Sequence, residues 1–269
     1  MPSAPSLKGL LFDFDDTLVP ASDVANAVMA NLCAEVSAAC GVDAQELKAT
    51  LLNCAESILP TTPAGKAAEE FFSGSISFPT HAHELLWEDK SPFENLAPDL
   101  PGFRIAVWSA ACESLGLGGQ IEPKEMSERL VAEIAALRVP YPETEGVLKE
   151  LARRFRMAIL TNGEPSVQGM KIKRSGLDRH FDHVVHGAEH GSKPRPRPYE
   201  VVLELIGCDP SEAAMIGDTL PTDIRGARDF GIYSIWVNRT SRVNETDIAP
   251  DAEIQDMGQL LELIRPVDS

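Results

Sequence analysis

Residues 10–18, LLFDFDDTL, set an apolar run directly against three aspartates in four residues, followed by Thr17. The run from 8 to 14 reads as a buried strand, continuous in apolar residues rather than alternating. Residues i and i+2 of an extended chain point to one side. Asp13 and Asp15 can therefore face one point just beyond the strand. Carboxylates this close repel one another, so the stretch asks for a cation or for at least one carboxyl with a raised pKa.

The rest of the chain repeats the pattern. From residue 143 onward, helical and strand-like segments alternate. Residues 143–154 are helical, FRMAILTN (155–162) is a strand, 166–175 is helical and HVVH (183–186) is a short strand. Residues 199–206 are helical, AAMIGD (213–218) is a strand, 223–230 is helical and IYSIWVN (232–238) is a strand. Such alternation predicts parallel βαβ units, an α/β fold with a doubly wound, Rossmann-like sheet. In these sheets ligands bind beyond the carboxyl ends of the strands. Polar residues stand there each time: Asp13, Asp15 and Thr17; Thr161-Asn162-Gly163; and Gly217-Asp218, with Asp223 five further on. Lys193 lies between the last two, in GSKPRPRPYE.

A single aspartate after a strand is often a helix cap or a turn former. Four such features in order, three of them at strand ends, argue for a site. Asp218 comes from a different strand end than Asp13 and Asp15, and oxygen-only ligands favour a hard ion, Mg²⁺. Mg²⁺ keeps waters and binds together with substrate phosphate. Lys193 and the N–H groups after Thr161 are placed to hold the other phosphate oxygens.

Between the first strand and residue 140 the pattern is helical. Val24, Val28, Leu32 and Val36 recur every four residues behind Ser22, a candidate N-cap. Asp43 with Glu46 gives a capping-box-like start to a second helix carrying Leu47, Leu51 and Ile58. Residues 60–103 read as loops over a helical layer, with a helix around 64–72. Helical spacing returns over 104–115, and over 123–137 through Met126, Leu130 and Ile134, with Pro123 in the first turn. The expected organisation is an α/β core of residues 1–19 and 141–269, interrupted by a helical domain of 20–140. In the latter, Arg104 stands four residues before Trp108. The pair either reads an anionic or planar part of a substrate, or Trp108 packs inside while Arg104 reaches solvent.

The chain has 269 residues, 43% of them hydrophobic, a net charge of −17 and a pI near 4.7. This is enough chain for a sizeable core. The acidity makes nucleic acid and anionic membranes poor partners. Five cysteines without a CxxC point to reduced thiols. No run approaches the roughly 18 apolar residues of a membrane span, and MPSAPSLKGLLFDF lacks a signal-peptide apolar region. The expectation is a cytoplasmic protein, monomeric or homodimeric. His81, His83, His186 and His190 have no cysteine at zinc-ligand spacing and read as surface histidines.

With these residues in view, the sequence resembles the haloacid dehalogenase-like hydrolase superfamily. Its motifs are matched in order: DxDxT by Asp13, Asp15 and Thr17; the Ser/Thr after the next core strand by Thr161; the lysine of KPDPxxF by Lys193 in KPRPRPY; and GDxxx(x)D by Asp218 and Asp223 in GDTLPTD. The helical insert lies where the C1 cap of that family lies, although 60–103 is longer than usual. The resemblance implies a Mg²⁺-dependent phosphatase acting on a small phosphorylated metabolite. Asp13 is then the nucleophile that forms an aspartyl-phosphate, and Asp15 the acid and base. Mg²⁺ is held by Asp13, the Asp15 carbonyl and Asp218. Thr161, the Asn162 amide and Lys193 hold phosphate, Asp223 orients ligands or Lys193, and Thr17 fixes the loop by a local hydrogen bond. Asp16 stands where the family often has Gly and has no chemical role. LTNGEPSVQGMKIKRSGL (160–177) is similar to the branch of pyrimidine nucleotidases and N-acylneuraminate phosphatases.

Three rivals differ in chemistry. A 2-haloacid dehalogenase of the same superfamily attacks carbon without metal and lacks the second carboxylate, which Asp15 supplies here. A phospho-accepting receiver is about half this length and keeps its phosphate. A binding module without turnover would lack a motif residue, and none is missing.

Overall fold

The computed structural model of the chain describes residues 6–62, 83, 85, 86, 100–163 and 165–264. The helix expected around 64–72 and His81 lie outside these residues. The chain divides into two compact units: Met1–Pro20 with Val139–Ser269, and Ala21–Arg138.

The first unit is built on β1 (Gly9–Phe12), β2 (Arg156–Thr161), β3 (His183–His186), β4 (Ala213–Gly217), β5 (Tyr233–Val237) and β6 (Ala252–Ile254). These form one sheet in the order β3-β2-β1-β4-β5-β6, with parallel pairing throughout. β1 pairs on both sides, Phe12 opposite Ile159 and Ile216. All four of its residues are buried. Their side chains alternate between two cores: Leu11 packs with Ala158, Leu160 and Met215 on one face, and Leu10 and Phe12 with Met157, Ile159 and Ile216 on the other. A strand with both faces covered must be apolar at every position, which is why GLLF carries no alternation. Sequence order runs outward from β1 in both directions, so the strand order reverses beside it. That reversal is where open α/β sheets bind ligands.

β1 is shorter than the predicted 8–14. Beyond Phe12 the Asp13 N–H still reaches the Ile216 carbonyl at 2.9 Å, but the N–H groups of Leu18 and Val19 then fold back onto the Phe14 carbonyl. The crossings are α5 (Thr144–Leu151), α6 (Pro165–Ser175), α7 (Pro196–Ile206) and α8 (Arg225–Asp229), with α9 (Met257–Leu263) closing the unit. Where a helix was predicted over 223–230, Leu220–Ile224 forms a wider π-type turn before α8. The Thr219 carbonyl accepts from both Asp223 and Ile224 N–H, at 2.9 and 3.4 Å.

The second unit is helical: α1 (Ser22–Cys40), α2 (Ala44–Ile58), α3 (Leu100–Ser114) and α4 (Pro123–Leu137). Its core gathers the predicted stripes, with Val28, Leu32, Val36, Leu47, Leu51, Leu130 and Ile134 packed around Phe103, Val107 and Trp108. Asp43 caps α2 through its Oδ1, which accepts from Gln45 and Glu46 N–H at 2.9 Å each. Ser22 is not the cap of α1. The Ala21 carbonyl already accepts the Ala25 N–H, so Ser22 is the first helical residue. α3 begins four residues before Arg104, which sits inside the helix. Arg104 does not reach solvent either: it is 5% exposed and its Nε donates to the Leu85 carbonyl at 2.9 Å. No helix among the described residues is long and apolar enough to cross a membrane.

Candidate active site

The polar residues that end β1, β2 and β4 converge. Lys193 is the hub. Its side chain is 2% exposed, and its ammonium donates to Asp13 Oδ1 (2.6 Å), Asp223 Oδ1 (2.7 Å) and the Leu160 carbonyl (2.7 Å). An ammonium has three protons, and all three have protein acceptors. Lys193 neutralises the carboxylates beside it first. Burial works against its charge, but Asp13 and Asp223 overcome that cost and raise its pKa above 10.5.

Asn162 explains how Lys193 is held. Its side-chain Oδ1 accepts the Lys193 N–H at 2.6 Å and its Nδ2 donates to the Lys193 carbonyl at 2.9 Å. The Asn162 carboxamide therefore clamps the lysine backbone, which leaves only the Asn162 backbone N–H for a phosphate. Thr161 is 3% exposed, and its Oγ1 accepts the Gly163 N–H at 3.4 Å.

Asp13, Asp218 and Asp223 bring carboxylate oxygens within 4.8 Å of one another. The sequence reading placed Asp223 behind the site, and its contacts fit that place: Oδ1 takes Lys193 and Oδ2 the Thr219 N–H at 3.0 Å. Gly217 makes room for it, since a Cβ there would lie 2.4 Å from Asp223 Cγ. The turn carrying Asp223 is tied down by Tyr199, whose buried hydroxyl donates to the Thr222 carbonyl at 2.9 Å. Asp218 Oδ1 accepts the Thr219 hydroxyl at 3.1 Å. Its backbone carbonyl takes Trp236 Nε1 (2.8 Å) and Arg242 Nη2 (3.0 Å).

The site is short of positive charge. Burial, then Asp223 and Asp218, push Asp13 well above the usual carboxylate range against the pull of Lys193. Burial, Asp223 and Asp16 push Asp218 up to about 7. A largely buried cluster of oxygen donors with this deficit fits a hard divalent cation.

Asp15 is not the third carboxylate of that cluster. Its Oδ2 accepts from Gln168 Nε2 at 2.8 Å and Lys171 Nζ at 3.2 Å, both on α6. The sequence reading singled out neither as a partner, although their i, i+3 spacing puts them on one helix face. Asp16 has φ 59°. This left-handed turn is the reason a glycine suits the position, and aspartate is among the residues that tolerate it. Its N–H reaches back to the Val19 carbonyl at 2.7 Å. Thr17 is fully buried, but its hydroxyl has no hydrogen-bond partner among the described residues, so the expected loop-fixing bond is not made. The loop is held instead by Arg239, which the sequence reading left without a role. Its guanidinium donates to the Thr17 carbonyl (2.9 Å) and Glu143 Oε1 (2.8 Å) and lies 3.5 Å above the Tyr141 ring. Burial works to raise the Glu143 pKa, but the Arg239 hydrogen bond and charge together with backbone N–H donors lower it on balance.

A doubly wound parallel sheet thus carries an acidic cluster and a buried lysine at its switch point. The haloacid dehalogenase-like hydrolase family matches residues 7–231, and the chain belongs to that family. It is 34% identical to the phosphoserine phosphatase of Thermus thermophilus over 94% of this chain and 98% of that protein. It is 30% identical to the pyrimidine 5'-nucleotidase YjjG of Escherichia coli over 54% of this chain and 65% of that one. The crystal structure of the HAD hydrolase YfnB from Bacillus subtilis, bound to magnesium, shares the fold with a TM-score of 0.60. The identity is 20%, over 97% of this chain and 99% of that one.

Proposed function

We propose that this hydrolase is a Mg²⁺-dependent phosphatase of small phosphomonoester metabolites, with residues 1–19 and 141–269 as its catalytic core and 20–140 as a cap. The observation that carries the reading is the separation of two carboxylates two residues apart. Asp13 lies in the cationic and acidic cluster, and Asp15 is held apart by Gln168 and Lys171. One is suited to attack and the other to proton transfer. A dehalogenase has no use for the second.

In this reading Asp13 attacks phosphorus in line with the leaving oxygen; Lys193 pulls it toward the ionised form, and a bound cation would complete that. Asp15 gives its proton to that oxygen as the P–O bond breaks. Water then attacks the aspartyl-phosphate, Asp15 takes the water proton, and inorganic phosphate leaves. Thr161 and the Asn162 backbone N–H bind the non-bridging oxygens, where transition-state charge is spread. Asp13, Asp218 and the Asp15 carbonyl would hold Mg²⁺, which would neutralise the charge between nucleophile and phosphate. Asp223 orients Lys193. The similarity of 160–177 to the nucleotidase and acylneuraminate phosphatase branch, and the full-length similarity to a phosphoserine phosphatase, support a small phosphorylated metabolite as the substrate.

The test is phosphate release with Mg²⁺ from a panel including phosphoserine, pyrimidine nucleoside monophosphates and N-acylneuraminate 9-phosphate. Release that vanishes in Asp13→Asn supports the reading. A panel on which the wild-type protein never exceeds that variant overturns it.

A further inference from the structure

The contacts of Asp15 are built rather than incidental. Gln168 is 5% exposed, and its Nε2 donates to Asp15 Oδ2 while its Oε1 has no hydrogen-bond partner among the described residues. Burying an unsatisfied acceptor is costly, so a side chain chosen for packing alone would be apolar here. The path of Gln168 also depends on Gly163: a Cβ there would lie 2.1 Å from Nε2 and 2.4 Å from Cγ of Gln168. Any other residue in the Thr161-Asn162-Gly163 turn would displace the carboxamide. Lys171, one turn along α6, brings its ammonium to the same oxygen and is itself only 14% exposed.

We propose that Gln168 and Lys171 are positioning residues for Asp15, fixing its Oδ2 so that Oδ1 is the oxygen that exchanges the proton with the leaving group. The torsion that turns a carboxylate about its stem is broad, so an unrestrained Asp15 would present either oxygen over a wide arc. Two donors from one helix, both on Oδ2, remove that freedom. With Oδ2 held against α6 by these two donors, the exchange with the leaving group is assigned to Oδ1. In the first step the proton passes from Oδ1 to the ester oxygen as its bond to phosphorus breaks and the bond from Asp13 forms. The inference rests on the phosphatase reading above and extends it to residues outside the four motifs.

The experiment compares kcat/KM for two esters with Mg²⁺ present, an alkyl phosphate and 2,4-dinitrophenyl phosphate. The alkyl oxygen must be protonated to leave, whereas the dinitrophenolate leaves without a proton. Because kcat/KM contains steps only up to cleavage of the ester, the later attack of water does not blur the comparison. Gln168→Met and Lys171→Met keep the stems and remove the donors. Each is expected to lower kcat/KM for the alkyl ester ~10-fold or more while changing the dinitrophenyl ester by less than ~2-fold. Lys171→Arg, which keeps a donor, is expected to restore most of the loss. Lys171 is the less buried of the two, so its variants carry the test if Gln168→Met fails to fold. Equal losses on both esters, or no loss on the alkyl ester, overturn the positioning role and leave the phosphatase reading intact. A wild-type protein that cleaves neither ester overturns that reading and the inference with it.

Discussion

The ammonium of Lys193 lies 2.6 Å from Asp13 Oδ1, with the lysine side chain 2% exposed. A contact so far from water holds only because the charges match, and it cannot be halved without cost. Lys193→Met would leave Asp13 and Asp223 buried beside each other without a counter-charge. Loss of one partner of a buried pair costs about 3–5 kcal/mol, so denaturant unfolding at neutral pH should show a drop of that order. The pKa of Lys193 is raised, so its stabilising contribution is complete below 10.5 and is lost only as pH rises through the higher folded value. The wild-type protein should therefore keep this contribution through the range in which ordinary lysines deprotonate, and Lys193→Met should have none to lose there.

Gly217→Ala tests the packing behind the site. The new Cβ would lie 2.4 Å from Asp223 Cγ, closer than real contacts allow. Asp223 must move, and its bonds to Lys193 and the Thr219 N–H go with it. Overpacking of this kind costs about 1–3 kcal/mol. Denaturation should show that loss, and turnover should fall by more than stability alone explains, since Lys193 loses an orienting partner.

Asp218 gives the site a pH dependence of a definite sign. Its pKa is raised from 3.8 to about 7, so the folded protein holds a proton that the unfolded chain releases. Between those two values this group makes stability fall as pH rises, and above about 7 the penalty is complete. A cation that takes the carboxylate form relieves the penalty and competes with the proton below it. The rise in melting temperature on adding Mg²⁺, measured against a chelator control, should therefore be larger above pH 7 than below it. In Asp218→Asn the gain should shrink and lose most of its pH dependence.

The fold and the motif residues were legible because they obey strong local rules. β1, β4 and β2 beyond Arg156 are apolar runs followed by polar residues, the pattern of strands covered on both faces. The partners of those residues were less legible. Nothing in the spacing tells that Lys193 uses all its protons on the protein, that the Asn162 carboxamide clamps the lysine backbone, or that the Asp15 carboxylate turns toward α6. Each depends on how one helix or loop docks on the sheet. β6 is three residues long, too short for periodicity to register, and α9 follows it unannounced. Arg104 misled because an arginine is usually long enough to reach water. Here Leu85 offers a buried carbonyl instead.

The central claim is that Asp13 carries the phosphoryl group. Its most direct test is to mix the protein with Mg²⁺ and an activated aryl phosphate, quench in acid within the first turnovers, and map the phosphoryl group by peptide mass spectrometry. A hydroxylamine-labile phosphoryl group on Asp13, absent from Asp13→Asn, is the predicted result. Phosphate release by Asp13→Asn at the wild-type rate, or a phosphoryl group found on another residue, would contradict the account.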